Sequence, residues 1–113
     1  MDHYDIWVDL LPGVRDLDFV AAVQAYLDPM RAQGLIAEYR IARRKFGFAP
    51  PELREFHIRI SVESLAQLDE AFRYAATRED PVEALHAAVY SKVTGFRSAL
   101  YRDFPDSVRK LDS

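Results

Sequence analysis

The chain opens on a strict alternation. In "HYDIWVDLL", residues 3–11, Tyr4, Ile6, Val8 and Leu10 fall on one parity, and Asp5, Trp7 and Asp9 on the other. Successive side chains of a strand point to opposite faces. The pattern therefore predicts a strand with one apolar face and a second face carrying two carboxylates and the chain's only tryptophan. Leu11-Pro12-Gly13 ends it, because Pro fixes its own φ and Gly accepts positive φ. Asp16 or Asp18 can cap a helix in which Phe19, Val20, Val23, Tyr26, Leu27 and Met30 recur at three-and-four spacing, one buried stripe. Pro29 has no N–H to bond the carbonyl four residues back, which predicts a kink near Asp28 or a fresh turn capped by it. Gly34 then ends the helix where a left-handed residue is favoured.

Further along, "LIAEYRIARRKF" places Leu35, Ala37, Tyr39 and Ile41 on one parity and Ile36, Glu38, Arg40 and Ala42 on the other, a half-buried strand. "GFAPPELRE" reads as a surface connection. In "FHIRISV", Phe56, Ile58, Ile60 and Val62 alternate with His57, Arg59 and Ser61, the clearest strand in the chain. Ser64 and Gln67 form a capping box ahead of a helix that buries Leu65, Leu68, Phe72 and Ala75. Another helix starts at "DPVE", with Asp80 as cap, Pro81 in the first helical position and Val82, Leu85 and Val89 buried. The tail "VTGFRSALYRDFPD" admits two readings. Its apolar residues suit a continuation of that helix, whereas Gly95 and the run Phe96, Leu100, Tyr101 suit a last strand, the reading adopted here.

The resulting order is that of the split βαβ unit, so the fold class is α+β, a ferredoxin-like βαββαβ domain with an antiparallel sheet and its helices on one face. Right-handed crossovers predict the sheet order four, one, three, two. Asp5, Trp7, Asp9, Glu38, Arg40, His57 and Arg59 then share the face that carries no helix. Either this is a solvated face whose opposite charges pair across strands, or two copies pack face to face and these residues line a cleft between subunits, a symmetric dimer being the default cover.

Composition narrows the function classes. One domain spanning residues 1–113 accounts for the 113 residues, half of them hydrophobic and 29% charged, in the range of soluble globular proteins. With no cysteine, disulfides, thiolate nucleophiles and cysteine-ligated metal centres are excluded. No apolar run is long enough to span a bilayer, and the N-terminus begins a strand where a secretory leader would be basic and apolar, so a cytoplasmic protein without membrane association is expected. A net charge of −3 has the wrong sign for neutralising phosphates, and no nucleic-acid partner is expected.

The motifs "EFHIRI", "AQLDEAF", "LHAAV" and "FRSALYRDFPD" resemble those of a small bacterial family of uncharacterised function, with "ALYRDFPD" the most distinctive. The whole pattern resembles the dimeric α+β barrel superfamily of ferredoxin-like proteins. That resemblance implies a homodimer through the sheet face. The wider superfamily includes cofactor-independent monooxygenases, haem-degrading enzymes and stress-responsive proteins, but no catalytic motif transfers residue by residue, and fold alone does not assign function.

The ligand-binding candidates are Trp7, Asp5, Asp9, Arg40, His57 and Arg59, with the indole as a stacking surface and the arginines as charge for a small aromatic or anionic metabolite. His57 is the one candidate catalytic base; its plainer reading is an ordinary surface histidine. His86 reads as the edge of a buried stripe, and His3 lies near the terminus. The three histidines have no metal-ligand spacing, so neither a metal nor a cofactor is expected. Asp5 and Asp9 lie roughly 13 Å apart by the strand rise, too far to share a proton, and each can pair with Arg40 or Arg59. The run Arg40, Arg43, Arg44, Lys45 can hold an acidic ligand, or more simply protect a sheet edge. Tyr101, Arg102 and Asp103 either reach the dimer cleft or anchor the tail through an Arg102 ion pair. No phosphate loop or nucleophile elbow is present. Three readings remain: a homodimer binding a small metabolite in the sheet-face cleft, an oxygenase using His57 as base or iron ligand, and a non-catalytic protein-interaction module.

Overall fold

The computed structural model describes residues 1–111. Seven elements follow one another: β1 (Asp2–Leu10), α1 (Asp16–Ala32), β2 (Glu38–Arg43), β3 (Phe56–Val62), α2 (Leu65–Ala75), α3 (Val82–Tyr90) and β4 (Val93–Arg102). The tail is a strand, and the pair α2 and α3 stands where the simple unit has one helix. The sheet runs β2-β3-β1-β4, all neighbours antiparallel, which is the predicted order read from the other edge.

Parity decides which side is covered. Ile6 lies opposite Ile58 and Tyr4 opposite Ile60 across β1 and β3, while Tyr39 and Ile41 on β2 continue the same apolar rows. Against this face α1 buries Phe19, Val23, Leu27 and Met30, joined by Val8, Ile36, Phe56, Ile58, Val62 and Leu68. Each such side chain removed from water contributes about 1.5–3 kcal/mol before the entropy of ordering is charged against it. Phe19 and Phe56 meet edge to face at 5.2 Å, so the first helix is keyed to the third strand.

Several local expectations shift. No side chain caps α1: Arg15 is the N-cap, and Asp16 accepts the Leu17 N–H from inside the first turn. Asp28 starts no new turn, since α1 runs through Pro29 to Ala32, and its carboxylate accepts from the Tyr39 hydroxyl at 2.6 Å and from Arg31. Gly34 ends the helix as predicted. Its φ is +77°, its N–H bonds the Arg31 carbonyl, and the Leu35 N–H bonds Met30, which is the Schellman closure. Ser64 caps α2 by accepting from the Gln67 N–H, while the glutamine reaches one residue further back, to the Glu63 N–H. The helix α3 begins at Val82, one residue later than the Pro81 reading, and Asp80 still accepts from the Ala84 N–H.

The stripe assigned to α2 is turned. Leu65 and Phe72 are exposed, at 58% and 46%; Leu68 is buried as expected, joined by Ala71, and Ala75 is half-buried. Phe72 keeps one contact with the sheet, meeting Tyr4 edge to face at 5.2 Å. Leu85 and Val89 of α3 are only half-buried, and Val82 is its one buried residue.

Candidate functional site

The helix-free face of the sheet is built from cross-strand partners. Asp5 lies opposite Arg59, Trp7 opposite His57 and His3 opposite Ser61 across β1 and β3. On the other flank Ala99 lies opposite Asp5 and Tyr101 opposite His3. Register therefore brings residues more than fifty positions apart into side-chain contact.

Asp5 is the centre. Arg59 donates to both its oxygens, Nε at 2.8 Å and one terminal nitrogen at 3.1 Å, a two-pronged arrangement that matches guanidinium to carboxylate. Nε2 of His57 lies 2.7 Å from the same carboxylate. The sequence places Asp5 on a face open to water, yet it is only 1% exposed, because its own neighbours close over it. Burial pushes the Asp5 carboxyl up, and the hydrogen bonds from Arg59 and His57 outweigh it, holding its pKa below the ordinary value. The indole of Trp7 stacks on the His57 ring, with centroids 5.0 Å apart and planes 16° from parallel. Asp5, Trp7, His57 and Arg59 thus form one cluster. His57, the candidate base, has Nε2 held by Asp5 and one ring face held by Trp7.

Asp9 does not join them. The register of β1 against β4 slips between Trp7 and Asp9, and Asp9 instead accepts the Glu55 N–H at 2.9 Å and faces Arg54 at 3.6 Å. Arg40 stands apart for a different reason. It lies directly opposite Arg59 across β2 and β3, and among the described residues its guanidinium has no hydrogen bond or ion pair. Like charges directly opposed in a sheet repel. Both arginines line a pocket of about 390 Å³ together with His3, Ser61, Glu38 and Tyr39. The other basic residue of this strand that the structure pairs is Arg43, which binds Glu55 and Asp16 at the sheet margin.

Sequence reading passed over His3 and Ser61. His3 is 8% exposed and Ser61 3%; Nδ1 of His3 lies 2.8 Å from the Ser61 hydroxyl and Nε2 lies 2.6 Å from Asp103. Asp103 also faces the terminal amine of Met1 at 3.3 Å, and the His3 contact draws its pKa down. The segment after β4 is thereby fastened to the start of β1, and Arg102 adds a longer contact to Asp106 at 3.6 Å. The available signal was the parity of His3 with Asp5 and of Ser61 with Arg59. Among the described residues no three His, Asp or Glu side chains gather in a way that could hold a metal ion.

A model of a protein family fits residues 1–112. The chain belongs to DUF6614, a family of unknown function. No curated protein matches this DUF6614 chain. Its fold is shared with solved structures of very different sequence. A protein of Arabidopsis thaliana, At3g17210, superposes with a TM-score of 0.72 at 9% identity, over 95% of this chain and 99% of that one. A dimeric ferredoxin-like protein of unknown function from Jannaschia sp. CCS1 gives 0.62 at 15% identity, over 91% and 100%. One from Thermobifida fusca, described in the same words, gives 0.61 at 10% identity, over 90% of each chain. The fold of this DUF6614 chain is ferredoxin-like. None of its helices among the described residues is long and apolar enough to cross a membrane.

Proposed function

We propose that the protein is a cytoplasmic homodimer, joined through the helix-free face of its sheet, that binds a small anionic metabolite carrying an aromatic group in a cleft on that face. The observation that carries this reading is the opposition of Arg40 and Arg59. Asp5 pairs with Arg59, while Arg40 has no ion pair among the described residues although Glu38 shares the pocket, so an anion seated between the two arginines gains charge-assisted hydrogen bonds and removes a repulsion. Trp7 and His57 supply an aromatic platform on the neighbouring strands. Dimerisation is supported by the uncovered face itself and by solved relatives in the fold that are described as dimers.

Calorimetric titration with naphthalene-2-sulfonate tests the anion site. Charge-assisted hydrogen bonds contribute about 1.5–3 kcal/mol, so Arg40→Gln is expected to weaken binding by roughly tenfold or more. Equal affinity in the variant, or no binding to the wild type, removes the proposed site.

A further inference from the structure

The opposite side of the sheet holds a different kind of space. Between the helices and the strands lies a crevice of about 360 Å³, and a smaller space of about 130 Å³ continues it towards α3. Ile6, Tyr26, Leu27, Ile60, His86 and Phe96 border both. Its origin is legible at the end of α2, where Ala71 and Ala75, with Ala76 just after the helix, stand where longer side chains would fill the gap, while Phe72 turns outward to the rim. A volume of this size, walled mainly by hydrocarbon with a few polar groups, has the character of small-molecule sites.

The lining sets the chemistry of an occupant. No Asp, Glu, Lys or Arg borders either space. A charged ligand would lose its hydration there with nothing opposite to pair it. Four polar side chains nevertheless lie in the walls, and one of them, Tyr90, donates its hydroxyl to Glu83. The hydroxyls of Tyr4 and Tyr26 and the ring nitrogens of His86 make no hydrogen bond among the described residues. The His86 ring is held in place, stacked on Tyr26 at 5.2 Å and meeting Tyr90 edge to face at 5.1 Å. Burial raises the Tyr26 phenol to about 12, so it stays neutral and able to donate at ordinary pH.

We infer that this crevice is a second binding site, for a small neutral molecule that is mainly apolar and carries one hydroxyl or carbonyl group to meet His86 or Tyr26. It shares no lining residue with the arginine pocket on the far side of the sheet, and it lies within a single protomer.

Titration with 2-naphthol, followed by calorimetry, separates this site from the anion site. One molecule is expected to bind per chain. Ala75→Phe, which fills the crevice, is expected to weaken it by roughly tenfold or more, while binding of naphthalene-2-sulfonate and the effect of Arg40→Gln on it stay as in the wild type. Should Ala75→Phe fold poorly, His86→Phe keeps a ring of similar size; it is expected to weaken 2-naphthol and leave naphthalene unchanged. The inference is overturned if 2-naphthol does not bind, if Ala75→Phe binds it as well as the wild type, if His86→Phe leaves its affinity unchanged, or if Arg40→Gln abolishes its binding.

Discussion

Asp5 is a carboxylate buried on a side of the sheet that has no helix to bury it. Arg59 grips it with two nitrogens and His57 with one, so the charge is taken from water into a set of partners rather than into hydrocarbon. Removing one member of such a set leaves the others partly unpaired. Asp5→Asn is expected to cost about 1–3 kcal/mol in urea denaturation at neutral pH, the lower part of the range applying because Arg59 is one-third exposed and can return to water. The pH dependence follows from the direction of the shift. Folded Asp5 titrates below 3.8, its ordinary value, so the unfolded chain takes up the proton first as pH falls. Its contribution is complete above that value and is lost as pH drops through the folded pKa. The gap between wild type and Asp5→Asn should therefore close below about pH 3.8, and an equal gap at neutral and acid pH would show that the carboxylate's charge is not what stabilises. The alternation of β1 made the company of Asp5 readable in advance, since side chains on one face of a strand meet those on the same face of its neighbours. Its burial was not readable, because parity says which face a side chain takes and nothing of whether neighbours fold over it.

Elements were legible in proportion to how local their signals are. Gly34 illustrates the strong case: a helix end with φ of +77°, closed by two backbone hydrogen bonds, and announced by the residue type alone. A Cβ placed there meets no atom within 4 Å, so substitution carries only the conformational penalty. Gly34→Ala is expected to lower stability by about 1 kcal/mol, measured by urea or thermal unfolding; no change would mean that the last turn of α1 does not need the left-handed residue. The helix α2 illustrates the weak case. Its spacing fits two stripes that share Leu68, one adding Leu65 and Phe72 and the other adding Ala71, and packing against the sheet selects the second. The choice depends on how α2 lies over β3 and beside α3, which no window of sequence contains. The same roll turns Phe72 to the rim of the alanine-walled crevice, so the crevice and the misplacement of Leu65 and Phe72 have one cause.

At the scale of the molecule, the described residues make a slab with extents of 53 × 38 × 18 Å, one layer of helices on one layer of sheet. The sheet's second face carries a half-buried indole, a buried carboxylate and two facing arginines, a composition that is neither a core nor an ordinary wet surface. In the proposed dimer a second copy, related by a twofold axis, would lie against this face and turn the arginine pocket into a cleft between subunits. The proposed anion site would lie in that interface, whereas the proposed helix-side site would not, so the two ligands are expected to respond differently to its loss. Sedimentation equilibrium at micromolar concentration tests the central claim most directly. The account predicts a species of twice the chain mass of 13.0 kDa, reduced to the chain mass by Trp7→Glu, which sets a charge in the middle of the shared face. A wild-type protein that sediments as a single chain contradicts it.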